Sequence, residues 1–471
     1  MSDPAIKVGG EAISLHRLTP AVSSETMIEN MRSSISRGLR IATACRPHDM
    51  TLSVAAGGPS LADTYKELDG FIGAVNGSLA FLLDHEIKDG ASYACAVMDA
   101  GDHIADALVA DPNIRYYIAS VVSPKVFDKL KDCDVRLWHI TPESTTDPKG
   151  VEAVLHANYP DQWHAIGGGC TMGLRWINLG YYLGFRKFKL HGLDSSFRGG
   201  STHAYPDRAD TKDRIEFRGR QTRPNFLAQF HDFFAVVGDF NHRDPSVTFE
   251  VFGDGLLQDE WASWTAPVKG RFREVGGFLW PRSDRNAYVA LRQVYQLESV
   301  IPLCSRNTTA VQAGGNVGVY AKYLARHFDR VISYEPDKDN FDCLVRNVPE
   351  ANVEKIRAAL GDMAGSAGME RDPINVGAHR IAGDGDIPVV RIDDRKLDAC
   401  DFLCLDVEGY EMLALKGAAE TIRKFRPVIL FESNGLGRNF CVEPGDIQKW
   451  LVDEYGYKEV ARHGNDVVMV C

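Results

Sequence analysis

The stretch VQAGGNVGVYAKYLARHFDRVISYEP, residues 311–336, decides the fold of the C-terminal half. An apolar run closes on small residues, helical spacing follows through VGVYAKYLARHF, and a second apolar run, RVISYE, ends on the acid Glu335. Strand, glycine loop, amphipathic helix and strand in that order are the repeating unit of a parallel sheet. Gly314, Gly315 and Gly318 let the backbone approach a ligand at a helix N-terminus, and an acid one strand later accepts hydrogen bonds from two vicinal hydroxyls.

Read as Ala313, Gly315 and Gly318, the loop is a near miss to the dinucleotide fingerprint G-x-G-x-x-G, with Glu335 at about the expected distance. The loop alone leaves a dinucleotide, a bare phosphate and S-adenosylmethionine (SAM) open, beside the plainer reading of a tight turn with a solvated acid. Working outward, TTAVQ, RVISYE, EKIRAAL, DFLCLD and PVILFE alternate with helical segments. YKEVAR and DVVMVC then close the chain across the short loop HGND, which is hairpin spacing. Residues 285–471 are expected to form a parallel sheet ended by an antiparallel hairpin.

The N-terminal half alternates in the same way. TLSVAA from Thr51, FIGAV, YACAVM, RYYIASVV, VRLWHI and KFKLHG imply a second, mostly parallel sheet over residues 51–260. PESTTDPKG from Pro142 reads as a turn-rich loop within it. Residues 1–50 are expected as a helical extension, and residues 261–284, which mix Trp, Pro, Gly and Arg without period, as a linker. The fold class is α/β with two Rossmann-like domains, and 471 residues are too many for one ordinary core.

With 44% hydrophobic and 25% charged residues and no apolar run long enough to span a bilayer, the chain is expected to be soluble and without a membrane span. The first residues lack a signal-type apolar core, which adds the expectation of a cytoplasmic protein. Ten cysteines without a C-x-x-C pair are expected as reduced thiols. A net charge of -11 argues against a nucleic-acid partner.

Further stretches resolve the ligand. YEPDKDNFDCLVRNV follows the second strand, AALGD ends the third, LDVEGYEMLALKGAAETI follows the fourth and RPVILFES forms the fifth. Together they resemble the FkbM family of SAM-dependent methyltransferases over residues 311–433. The resemblance implies a class I seven-stranded sheet with its last strand antiparallel, SAM as cofactor, and a sugar or glycoconjugate hydroxyl as acceptor. It implies that Gly314, Asn316 and Gly318 line the methionine side of SAM, with Gly315 in the same loop. Glu335 would hold the ribose hydroxyls, Asp362 would sit near the adenine amino group, and Asp406 and Glu408 would face the transferred methyl. Gln312 departs from the pattern, since relatives carry an acid there. A charge-assisted hydrogen bond contributes about 1.5 to 3 kcal/mol against about 0.5 to 1.5 for a neutral one. Either SAM binding is weaker, or Asp406 partners the methionine ammonium instead of acting on substrate.

A sulfonium methyl is already electrophilic, so positioning of the nucleophile comes first. For a hydroxyl acceptor a base adds rate, and Asp406, Glu408 and Glu432 are the candidates. The same carboxylates offer oxygen ligands to a divalent metal ion, although their spacing demands none. The plainer alternative has Asp406 and Glu408 satisfying backbone donors at the start of the following helix, with Glu432 in a supporting role.

In the N-terminal half, GGPSL follows the first strand without a Walker-type lysine. With AVNGS, VMDAGDH and IGGGCTMGLRWINLGYYLGFRKFKLHGLDSSF it resembles the Rossmann-like domain shared by the archaeal 6-hydroxymethylpterin pyrophosphokinase family and the Maf flagellin glycosyltransferases, distantly similar to bacterial sialyltransferases. By that resemblance Gly57, Gly58, Pro59, Ser60 and Asn76 would contact a nucleotide phosphate or sugar, and Gly168, Gly169 and Thr171 would close over it. Asp99 and Asp194 would bind a metal or orient a substrate. His203 suits acid/base work, although a loop histidine is more often a surface residue. The family's members divide between pyrophosphoryl and glycosyl transfer, and the motifs leave that choice open. Three arrangements follow: a methyltransferase fused to a nucleotide-binding, glycosyltransferase-like domain, an N-terminal enzyme with a weak SAM binder attached, or an N-terminal module that docks the methyltransferase on its acceptor.

Overall fold

The computed structural model describes residues 5–8, 11–14, 22–85, 92–142, 147–160, 164–205, 214–266, 270–294 and 296–471. The chain divides into two compact units, Met1–Ala266 and Pro267–Cys471.

The N-terminal unit is built on a nine-stranded sheet. In spatial order it runs Thr248–Val251, Lys187–His191, Thr51–Ala55, Phe71–Val75, Ser92–Val97, Arg115–Ala119, Asp134–Ile140 and Arg40–Ile41, with Ala165–Ile166 also paired to Asp134–Ile140. Every pairing is parallel. The central strands are buried at nearly every residue, which is why they read as apolar runs and not as alternating ones. Sequence order reverses between Thr51–Ala55 and Lys187–His191. In sheets of this kind the ligand crevice opens at such a reversal, beyond the carboxyl ends of the strands.

Residues 1–50 are not simply helical. They hold a hairpin of Ala5–Val8 and Glu11–Ser14, the helix Ser24–Ser36, and Arg40–Ile41, which joins the sheet. Residues 143–146 of the turn-rich loop lie outside the described residues, and its remainder opens the helix Pro148–Asn158, capped by Asp147. The stretch expected as a linker is ordered on both sides of residues 267–269, which also lie outside the described residues: the helix Leu256–Thr265 precedes them, and the hairpin Phe272–Val275 with Phe278–Pro281 follows. Trp264 and Trp280, which broke the periodicity, are buried side chains that anchor these elements.

The C-terminal unit carries a seven-stranded sheet in the order Val353–Ile356, Arg330–Tyr334, Thr309–Ala313, Phe402–Leu405, Val428–Glu432, Asp466–Val470, Lys458–His463. Only Asp466–Val470 runs against its neighbours, as the closing hairpin predicts. EKIRAAL differs from its expected single strand. Val353–Ile356 stays in the main sheet, whereas Ala359–Leu360 leaves it to pair with Ile387–Val390. Ala359 packs there into a small apolar cluster with Ala367, Ile381, Ile387 and Val389, and burial in that cluster draws the chain away. No disulfide joins the cysteines among the described residues, and no helix among those residues is long and apolar enough to cross a membrane.

Candidate functional site

In the C-terminal unit the strand order reverses between Thr309–Ala313 and Phe402–Leu405. The loop after the first strand carries Gly314, Gly315, Asn316 and Gly318 into the helix Val319–Leu324. Gly314 has φ +78°, and a Cβ there would lie 1.8 Å from the Asp406 carbonyl oxygen, so only glycine lets the two loops meet.

Glu335 is buried at the end of the next strand. Its carboxylate accepts from the Asn316 N–H at 2.6 Å and the Asp337 N–H at 2.8 Å, tying the acid to the glycine loop. Burial pushes its carboxyl up to about 8, against the opposing pull of those backbone donors. Gln312, 2% exposed, is fully engaged: its amide donates to the Gly314 carbonyl at 2.9 Å and its oxygen accepts from the Ser333 hydroxyl at 2.7 Å. A carboxylate could not make the first bond. Asp362 follows Leu360, half-buried, beside the exposed Met363.

The structure brings Asp406, Glu408 and Glu432 together, with one oxygen from each within 4.8 Å of the others. Asp406 has exposed surface, yet it lies in a recess where enclosure, and then the like charges of Glu408, Asp466, Glu411 and Glu335, push its carboxyl well above the usual range. Enclosure and Glu411 raise Glu408 to about 7, and enclosure with Asp406 and Glu408 raises Glu432 to about 10. Glu408 sits at φ +52°, a left-handed conformation that its backbone adopts beside Gly409.

Three supporting residues escaped the sequence reading. Asn434 donates to Glu408 at 3.1 Å and to Glu432 at 2.7 Å, bridging the two acids. Glu411 accepts from the Val407 and Gly409 N–H groups, each at 3.1 Å, and so shapes the turn that carries Glu408. Asp466 faces Glu432 across the antiparallel pair. The acidic spacing in DVEGYE was the available signal for Glu411, and nothing in the local sequence marks Asn434 or Asp466.

In the N-terminal unit the GGPS loop also lies at a reversal, but its polar groups are spent. Ser60 donates to Asp194 through its N–H at 2.7 Å and through its hydroxyl, and Gln258 adds a donor at 3.2 Å. Asp194 is 2% exposed, and burial raises its carboxyl to about 6. Ser60 and Asp194, expected to contact a nucleotide phosphate or sugar and to bind a metal or orient a substrate, are here hydrogen-bonded to each other. Gly168 and Gly169 fit against Asn178 and Leu174 of the helix Met172–Tyr182, where a Cβ would fall 2.2 and 2.3 Å from side-chain atoms. Asp99 accepts from the Gly101 N–H at 2.8 Å and pairs with His103 at 3.5 Å. Pro59 accepts through its carbonyl from the Ala62 N–H at 3.3 Å. The His203 and Tyr205 rings lie 5.1 Å apart, tilted by 37°, and cover Gly57, where a Cβ would meet both rings. Asn76 Oδ1 and Thr171 Oγ1 are buried without a hydrogen-bond partner among the described residues.

Residues 312–459 match the family model described as Methyltransferase FkbM domain. No curated protein matches the chain significantly. Among solved structures, methyltransferase FkbM from Methylobacillus flagellatus KT aligns at 13% identity and TM-score 0.29, over 95% of this chain and 96% of that one. The MAf glycosyltransferase from Magnetospirillum magneticum AMB-1 aligns at 14% and 0.36, over 66% of this chain and 51% of that one. Magnesium protoporphyrin IX methyltransferase from Synechocystis PCC 6803, with SAM bound, aligns at 11% and 0.26, over 50% of this chain and 94% of that one.

Proposed function

We propose that the chain is a methyltransferase, as the match of residues 312–459 to the methyltransferase FkbM domain model supports, and that its C-terminal unit moves a methyl group from SAM to a hydroxyl of a sugar or glycoconjugate. The observation that carries this reading is the convergence at one strand reversal of the glycine loop with Glu335 on one side and Asp406, Glu408 and Glu432 on the other.

SAM's methionine moiety would lie along Gly314, Gly315, Asn316 and Gly318, its ribose hydroxyls on the remaining lone pairs of Glu335, and its adenine near Asp362. Gln312 is committed to the loop, so the methionine ammonium falls to Asp406, whose accessible carboxylate is crowded by like charge and gains from a cation. Glu408, held at about 7, is the base for the acceptor hydroxyl, since a base near the working pH combines availability with driving force. Glu432 and Asn434 hold Glu408 in place.

The donor set of Asp406, Glu408 and Glu432 also fits a hard divalent cation, which takes carboxylate oxygens. Bound there, it would polarise the acceptor oxygen and offset the crowding. Calorimetry and a transfer assay separate these roles. Glu408→Gln should keep SAM affinity and lose transfer, while Asp406→Asn should lose affinity. Retained transfer in Glu408→Gln would refute the base assignment.

A second reading concerns the N-terminal unit. The partnerless oxygens of Asn76 and Thr171, with the rings of His203 and Tyr205 over Gly57, favour a nucleotide or nucleotide sugar at that reversal. Thermal shifts with CTP, a CMP-sugar and ATP test it, and no shift with any of the three would leave the docking role.

A further inference from the structure

In the N-terminal unit one aromatic ring sits on the ends of two neighbouring strands. Thr51–Ala55 and Phe71–Val75 pair in parallel and run out toward Gly57 and Gly77. The Tyr205 ring covers both glycines: a Cβ on Gly57 would lie 2.6 Å from the Tyr205 hydroxyl oxygen, and one on Gly77 would lie 2.9 Å from its ring carbon Cε2. Gly77 has φ −70°, which any residue adopts, so the ring requires room there and not a special backbone. The Gly58 and Ser60 N–H groups are already given to the Gly192 carbonyl and to Asp194. With those donors spent, the loop offers bare Cα surface, which suits a flat ring better than a phosphate. Next to Gly77, Asn76 Oδ1 is buried without a hydrogen-bond partner among the described residues, an acceptor the closed arrangement leaves unserved. The segment carrying the ring leaves the buried Phe197 through a turn at Gly199 and Gly200, with φ +54° and +90°. Ala204 donates its N–H to the Gly57 carbonyl at 3.0 Å, and Arg198 pairs at the surface with Asp63 of the short helix Leu61–Thr64.

We infer that Tyr205 is a placeholder: it occupies the slot on Gly57 and Gly77 that receives the ring of a ligand, and residues 203–205 swing out when that ligand binds. A flat ring with an N–H donor, such as the base of a nucleoside, takes the place of the phenol and gives Asn76 its partner. The inference rests on the nucleotide reading of this unit and adds an autoinhibitory contact to it. Apparent affinity is then the intrinsic affinity scaled by the fraction of molecules in which the slot stands open.

The test is calorimetry on the full chain with cytidine and adenosine. Tyr205→Ala should bind at least one of them at least about tenfold tighter than the unaltered chain, a difference of about 1.4 kcal/mol. Gly77→Ala, added to that variant, returns a methyl group to the slot and should remove the gain. Asp63→Ala leaves rings and slot intact and should give a smaller gain, about two- to fivefold, by releasing Arg198. That variant decides the matter should Tyr205→Ala fail to fold. Affinity that Tyr205→Ala leaves unchanged or weakens would make the phenol simple packing or a part of the site, and would overturn the inference. A gain that survives Gly77→Ala would place the ligand elsewhere and overturn it as well. If CTP or ATP shifts Tm while neither nucleoside binds any form of the chain, this inference alone fails. No response to any of the four would sink the nucleotide reading together with it.

Discussion

The two units share a construction and differ in what they leave free. In each, loops from two strands meet where sheet order reverses: the Gly58 N–H donates to the Gly192 carbonyl at 2.7 Å, and the Asp406 N–H donates to the Ala313 carbonyl at 3.2 Å. Each contact needs a glycine, because a Cβ on Gly58 would come within 2.4 Å of the Gly192 oxygen and one on Gly314 within 1.8 Å of the Asp406 oxygen. The acids at the two crossings fare differently. Asp194 is sealed in and accepts from Ser60 and Gln258, while Asp406 stays accessible and is pressed by other carboxylates. One backbone arrangement leaves the carboxylate's lone pairs taken in the first unit and accessible in the second, and on the proposed reading the second is the methyl-transfer site.

That contrast can be broken by experiment. The largest effect is expected at the glycine. Gly314→Ala should cost at least about a hundredfold in SAM affinity by calorimetry, roughly 2.8 kcal/mol, because both φ and the Asp406 carbonyl oppose a side chain. Next comes a matched pair of acids. Asp406→Asn should weaken SAM by about ten- to a hundredfold, the value of one charge-assisted hydrogen bond, with no loss in Tm, since removing it relieves like-charge repulsion. Asp194→Asn should do the reverse, lowering Tm and leaving SAM affinity alone. If both behave alike, the distinction between the taken and the accessible carboxylate is wrong.

Ser60→Ala sharpens the comparison further. A brace predicts a stability loss of about 1 to 3 kcal/mol in urea unfolding, because Asp194 loses a donor while buried. A dedicated phosphate contact predicts unchanged stability and lost nucleotide binding. The smallest effect lies at Asp284, whose buried carboxyl is raised to about 7. The folded state holds that proton more tightly than the unfolded chain, so the stability it lends is present at low pH and is lost as pH rises from the ordinary carboxylate range through about 7. Asp284→Asn should therefore reduce the fall in Tm between about pH 5 and pH 8.

Much of this was legible in advance. The strands Thr51–Ala55, buried from Leu52 onward, and Thr309–Ala313, buried throughout, announce themselves as apolar runs, and the spacing of YKEVAR and DVVMVC gives the antiparallel ending. EKIRAAL misled because a local pattern cannot say which of two sheets will bury Ala359 and Leu360. Trp264 and Trp280 misled for a similar reason: a large aromatic ring without period reads as irregular chain until its burial partners are known. Of the site, Gln312 was singled out as a departure, but its bond to the Gly314 carbonyl follows from the bend of the loop and not from its neighbours in sequence.

By itself the sequence determined which residues are small enough to bend and which strands are apolar enough to be buried, since steric room and transfer from water are properties of single residues and their spacing. Only the tertiary structure decided what the acids do. A carboxylate's ionisation and its free lone pairs depend on groups distant along the chain, so Asp194 became a brace through Ser60, 134 residues away, and Glu408 was poised through Glu411 and Asn434.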